Sequence, residues 1–162
     1  MKIFKNKFKA LLLSAFLITS FIACDEGGNP DPGATALVNI AGDWTVDILR
    51  DGSEFSHGHI STYNTSANIA TEFWLDDLES GWGLKSKVNF NESELAFSGE
   101  NLAELYYDVT VTITDGVFVK NGTTAPSGTV TDSIYFKAVF SDVPTRVFEY
   151  YGHKRTGFRE DE

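Results

Sequence analysis

The sequence predicts a small all-β domain, an antiparallel barrel or sandwich of eight or nine short strands. Three observations carry this. Apolar and polar residues alternate from residue 42 onward, as in strands buried on one face. Turn-forming pairs recur at short intervals, Asp115-Gly116 and Asn121-Gly122 among them. No long segment repeats its apolar residues at the helical period.

The elements follow in order. In Gly42-Asp43-Trp44-Thr45-Val46-Asp47-Ile48-Leu49-Arg50, Trp44, Val46 and Ile48 share one face, while Thr45 and Asp47 share the other. Further strands are expected at His57–Thr65, Thr71–Asp76, Gly83–Asn91, Leu95–Ser98, Leu102–Thr114, Val117–Lys120, Val130–Ser141 and Arg146–Lys154. Asp115-Gly116 sits between two alternating stretches and reads as a tight hairpin. Asn121-Gly122 and Ala125-Pro126-Ser127-Gly128 mark a longer loop, and Asn101–Leu105 reads as a helical turn. Local signals leave barrel and sandwich both open, although a closed barrel removes edge strands and small ligand-binding barrels commonly have about eight.

The N-terminus has a different character. Met1 to Lys9 carries four lysines and no acid, and an apolar run follows from Ala10 to Ala23. That run is short for a bilayer span and lies behind lysines, the layout of a signal peptide. It ends Phe21-Ile22-Ala23-Cys24, which resembles the lipobox of bacterial lipoproteins, with Phe21 where Leu or Val is usual. Cys24 is the only cysteine, so no intrachain disulfide forms and acylation is the reading. Three acyl tails of palmitate type, at about 0.8 kcal/mol per buried methylene, anchor essentially irreversibly. Asp25 to Gly33 is rich in Gly, Pro and acid and reads as a flexible tether. Acids just after the cysteine resemble the surface-export signal of one phylum of Gram-negative bacteria. The expected organisation is a signal peptide over 1–23, a lipidated tether over 24–39 and one β domain over 40–162. The expected location is the outer membrane, lipid-anchored at the cell surface.

Composition bounds the partners. Residues 1–23 hold four of the 13 basic side chains and no acid, which leaves nine bases against 23 acids in the rest. A body this acidic disfavours nucleic acid and anionic lipid surfaces. The roughly 138 residues after the cysteine suit one core, and a monomer is expected. Aromatics make up 14% of the chain, enough either to line a cavity or simply to build β-sheet.

Gly42-Asp43-Trp44 resembles the Gly-X-Trp signature on the first strand of lipocalin-like barrels. In those proteins the Trp plugs the closed end and a late Arg packs over it, a part that falls to Arg155 here. Other segments resemble a narrower family. They are Ile60 to Thr65, Phe73-Trp74-Leu75-Asp76-Asp77, Ser127 to Val130 with Asp132 to Phe136, and Gly152-His153-Lys154-Arg155-Thr156-Gly157-Phe158. The family is that of the small bacterial lipocalin-like lipoproteins known as lipid-binding putative hydrolases, and the resemblance covers roughly residues 40–162. It implies an up-and-down barrel of about eight strands and a lipid or other apolar small molecule as ligand, with hydrolysis in its name.

Candidate site residues are few. Trp74 and Trp82 flank the turn Asp76–Gly81, near one end of a hairpin, and are either a ligand-facing pair at a barrel mouth or ordinary hairpin packing. Phe90, Tyr107 and Phe136 are candidates for a cavity wall. His57 and His59 share a strand face, which would suit a metal, but spacing fixes no third ligand, so no metal is assigned. No Gly-X-Ser-X-Gly elbow accompanies His153, and Asp76-Asp77 reads as a solvated turn, so no catalytic residue is assigned. No cofactor motif is present. Three functions remain. They are a surface-anchored barrel binding an apolar molecule, a non-catalytic interaction lipoprotein with a filled barrel that binds protein or glycan, and a weak hydrolase. An enclosed apolar space favours the first and a packed interior the second.

Overall fold

The computed structural model describes residues 33–162. The expected signal peptide, Cys24 and the tether up to residue 32 lie outside the described residues. Eight antiparallel strands follow: β1 (Gly42–Arg50), β2 (Ser53–Asn64), β3 (Glu72–Asp76), β4 (Lys85–Asn91), β5 (Ala96–Ala103), β6 (Thr110–Thr124), β7 (Val130–Phe140) and β8 (Phe148–Lys154). Each pairs with the next and β8 returns to β1, closing an up-and-down barrel. Closure satisfies both edges of every strand, which a sandwich of this size does not.

Alternation sets the inside. Trp44, Val46 and Ile48 point inward and are buried, opposite Lys154, Gly152 and Tyr150 of β8. At Gly152 the two backbones come so close that a Cβ would meet the Thr45 carbonyl oxygen at 2.0 Å.

Asp115-Gly116 is a bulge, not a hairpin. It lies inside β6, between Thr114 opposite Lys137 and Val117 opposite Tyr135. Asp115 has φ 56°, and a Cβ on Gly116 would sit 2.3 Å from the Phe97 carbonyl oxygen. The same dipeptide serves a hairpin turn and a bulge because both use positive φ. Here it lets a 15-residue strand bend around the barrel. Asn121-Gly122 also lies within β6, at a second register shift, and Asn101–Leu105 is strand end and loop in place of the expected helical turn.

The interior is filled by rings. Phe118 packs against Trp44 at 5.3 Å, Phe73 at 5.7 Å, Phe90 at 6.0 Å and Phe97 at 4.9 Å. Phe97 reaches Phe136 at 5.7 Å, and Phe136 stacks on Tyr150 at 4.5 Å with planes 10° apart. Phe148 continues the column towards Phe140 and Phe55, each at 5.5 Å. An eight-stranded barrel is just wide enough for side chains to fill, and here the aromatic content does so.

The Trp44 end is sealed. Trp44 Nε1 donates to Thr62 Oγ1 at 3.0 Å, and Thr62 Oγ1 donates to the Ile40 carbonyl at 2.5 Å. Leu37 and Ile40, in the turn at 36–40, are buried, so packed structure begins a few residues before position 40. The cation over Trp44 is Lys154, with Nζ 5.8 Å from the ring centroid, and not the expected Arg155. Register explains the change, since Lys154 lies directly opposite Trp44 and its successor turns to the other face. Arg155 instead binds Glu162, at 2.6 Å. Gly42 lies beneath the Lys154 chain, where a Cβ would meet its Cε at 2.8 Å.

An aromatic mouth held by two carboxylates

The four loops at the other end, residues 51–52, 77–84, 104–109 and 141–147, form the mouth. Between them lies an open cleft of about 380 Å³, lined by Phe55, Gly81, Trp82, Tyr107 and Asp142. Trp82 packs on Phe148 at 5.4 Å and faces Phe55 at 6.4 Å, with planes 49° apart. Its Nε1 donates to Asp142 Oδ2 at 3.3 Å. Tyr107 closes in against Gly83, whose positive φ of 90° and missing side chain leave room for the ring. Tyr107, Leu105 and Leu78, on these loops, are each about half exposed.

Two buried carboxylates hold the loops that carry these rings. Asp77 Oδ1 accepts from the Leu84 and Glu79 amides at 2.8 and 3.0 Å. Its Oδ2 accepts from the Gly83 amide at 3.3 Å and from Tyr150 Oη at 3.1 Å. This fixes the loop of Trp82 onto β8. Glu104 does the same for Tyr107, accepting from the Lys85, Tyr106 and Tyr107 amides at 2.9, 2.9 and 2.6 Å. Such preorganised loops lose little entropy when a ligand arrives.

Asp76 and Asp77 point to opposite faces, as adjacent strand residues do, but the expected solvated turn is absent. They are 2% and 0% exposed. Burial pushes the Asp77 carboxyl above its ordinary range, against the pull of its amide donors. Burial also raises the Tyr150 hydroxyl, and the Asp77 charge adds to it. Asp76 lies on the outer side. Burial acts upward there too, but donors outweigh it and hold the group below its ordinary value. These are Lys85 Nζ at 2.7 Å, Tyr106 Oη at 2.6 Å, Tyr63 Oη at 3.0 Å and the Leu78 amide at 3.0 Å.

The expected site residues separate into three groups. Trp82 and Tyr107 meet at the mouth, although Tyr107 lies on a loop and not on a wall strand. Trp74 is on the outer face of β3, with Lys87 Nζ 5.8 Å from its ring centroid, because Phe73 and Leu75 take the inward positions. Phe90 and Phe136 face inward but are packed among other rings, and Phe90 stands towards the sealed end beside Leu37 and Ile40. Sequence reasoning missed Phe55, Asp142, Glu104 and Tyr150, and set Asp77 aside as part of a solvated turn. Phe55 had a local signal, as a large apolar residue just after the polar turn Asp51-Gly52-Ser53-Glu54; the others meet only through the fold.

The histidines lie elsewhere. His57 and His59 share the outer face of β2, where His57 Nδ1 meets Asp47 at 2.7 Å and His59 Nε2 meets Glu162 at 3.2 Å. His153 Nδ1 lies 3.2 Å from the Lys154 carbonyl. Among the described residues no histidine ring is hydrogen-bonded to a serine or threonine hydroxyl, and no three His, Cys, Asp or Glu side chains gather where they could hold a metal ion.

No curated protein matches the chain. A solved structure of unknown function from Bacteroides ovatus is similar over 72% of this chain and 42% of its own, at 15% identity and a TM-score of 0.47. The chain thus spans less than half of that protein. A family model described as "Lipid-binding putative hydrolase" matches residues 29–159. That match takes in the whole barrel, and the chain belongs to this lipid-binding family.

Proposed function

We propose that this protein is a lipid-anchored, monomeric binding protein that takes an apolar or amphipathic small molecule at the mouth of its barrel. The observation that carries the reading is the aromatic cleft of Phe55, Trp82 and Tyr107, open to solvent. Apolar clefts with a few fixed polar groups are the usual form of a small-molecule site. The packed interior leaves the mouth, and not a deep cavity, as the place for the ligand. The basic start, apolar run and Cys24 support attachment to the outer membrane by acyl chains.

The test uses N-phenyl-1-naphthylamine, a neutral apolar probe whose emission rises in apolar surroundings. It is expected to bind and to quench Trp82. Trp82→Ala and Tyr107→Ala are expected to weaken binding about tenfold, and Trp74→Ala to leave it unchanged. No binding would defeat the reading. The filled interior favours the second function, an interaction module for protein or glycan, in that event. For the anchor, Cys24→Ala is expected to abolish acyl labelling; labelling that persists would remove the lipoprotein assignment.

A further inference from the structure

The mouth is acidic as well as aromatic. Its four loops carry Asp51, Asp77, Glu79, Glu104, Asp108 and Asp142. Arg146 is the one basic residue within them, and it is taken by Asp51 at 2.6 Å. Arg50, at the end of β1, lies with its guanidinium carbon 4.8 Å from the Phe55 ring centroid, so one face of this ring already receives a cation. Three rings and a carboxylate line the cleft itself, and among the described residues no lysine or arginine joins them.

We propose that this cleft is a cage for an alkylammonium head group, so that the amphiphile bound at the mouth carries a quaternary ammonium. The proposal rests on the preceding reading that the mouth binds an amphiphile, and names its chemical class. Ring faces are the negative ends of aromatic quadrupoles and attract cations within about 6 Å; cages of such rings are a recurrent way to hold quaternary ammonium groups. A methylated ammonium sheds its water readily and donates no hydrogen bond, so it suits rings better than oxygen ligands. Asp142 supplies the countercharge, and its Oδ2 is oriented by Trp82 Nε1 at 3.3 Å. The Phe55 and Trp82 rings, with planes 49° apart, both line the cleft. Asp77 and Glu104 hold the loops of Trp82 and Tyr107 in place before any ligand arrives. Leu78 and Leu105, exposed on the same loops, offer apolar surface to an alkyl tail. The same acidic loops repel a carboxylate or phosphate head.

The experiment compares three amphiphiles of one chain length on the full chain, below their micellar concentrations and at low salt. They are dodecyltrimethylammonium, neutral dodecyl maltoside and dodecyl sulfate, followed by tryptophan emission and calorimetry. The ammonium is expected to bind roughly tenfold tighter than the neutral head and the sulfate most weakly, with the preference shrinking as salt is added. Asp142→Asn is expected to remove most of the preference, lowering ammonium affinity far more than maltoside affinity. Equal or tighter binding of the maltoside or the sulfate would overturn the cage and leave the mouth reading standing. A preference that survives both Asp142→Asn and Trp82→Leu would place the head group elsewhere and overturn it too. Failure of all three amphiphiles to bind would overturn both.

Discussion

Tyr150 donates a hydrogen bond to Asp77 Oδ2 at 3.1 Å, joining the last strand of the barrel to the loop that carries Trp82. Its ring is stacked on Phe136 beneath, so packing fixes the hydroxyl where the carboxylate needs it. Tyr150→Phe leaves the ring in place and removes the hydroxyl, which donates to Asp77 and accepts from the Trp82 backbone amide; the Asp77 oxygen then keeps one amide at 3.3 Å. A buried acceptor losing its partner costs about 1–3 kcal/mol. Urea unfolding should show that loss, and hydrogen exchange should show faster opening at Trp82 to Leu84. Unchanged stability and exchange would mean that the loop is held by its own backbone alone.

Asp76 and Asp77 are neighbours whose ionisation is shifted in opposite directions, so they give opposite pH dependence. Asp76 is lowered. Its contribution is fully present above the unfolded value near 3.8 and is lost as pH falls through the folded value. Asp77 is raised. Its contribution is full below the unfolded value and is lost as pH rises through the folded one. Chemical unfolding across the acid range should show the gap between wild type and Asp76→Asn widening with pH. The gap to Asp77→Asn should narrow. Parallel slopes for the two variants would contradict the environments described for them.

At the sealed end, Trp44→Ala should cost about 3–5 kcal/mol, the loss expected for a buried aromatic side chain. Lys154→Ala should cost about 0.5–1 kcal/mol from the cation over the ring, and Arg155→Ala no more than about 1 kcal/mol as a partly exposed ion pair. The spectral readout separates the two bases. Near-ultraviolet dichroism of the Trp44 indole should respond to Lys154→Ala and not to Arg155→Ala. The reverse response would restore the arginine to the place the sequence expected for it.

The sequence made the strands and their inward faces largely legible because alternation is a local property. Trp44, Val46 and Ile48 can be assigned to one face without knowing any partner strand. Asp115-Gly116 was ambiguous for a physical reason: a turn and a bulge ask for the same positive φ, and only the pairing of Thr114 and Val117 with β7 decides between them. At the site, Trp82 could be placed at the mouth from its position past a strand end. Trp74 could not be placed there once Phe73 and Leu75 are seen to take the inward positions. The burial of Asp77 and Glu104 was illegible, since each is satisfied by amides of a loop whose course only the closed barrel defines.

The seam between β1 and β8 gives the most severe test of the closed barrel. A Cβ on Gly152 would lie 2.0 Å from the Thr45 carbonyl oxygen and 2.7 Å from the Val46 Cα. Both atoms are backbone, so no rotamer change relieves the contact. The strands must separate, and the hydrogen bonds between them go as well. Gly128, in the β6–β7 loop, is the control, because it has φ +86° and nothing within 4 Å of a Cβ. Alanine there meets only the conformational cost of positive φ, about 1–2 kcal/mol. Gly152→Ala should therefore lose more than about 3 kcal/mol, a large share of the stability of a domain this size, and should lower the soluble yield. Denaturant unfolding of both variants decides it. If Gly152→Ala is no worse than Gly128→Ala, then β1 and β8 do not approach as closely as the closed barrel requires.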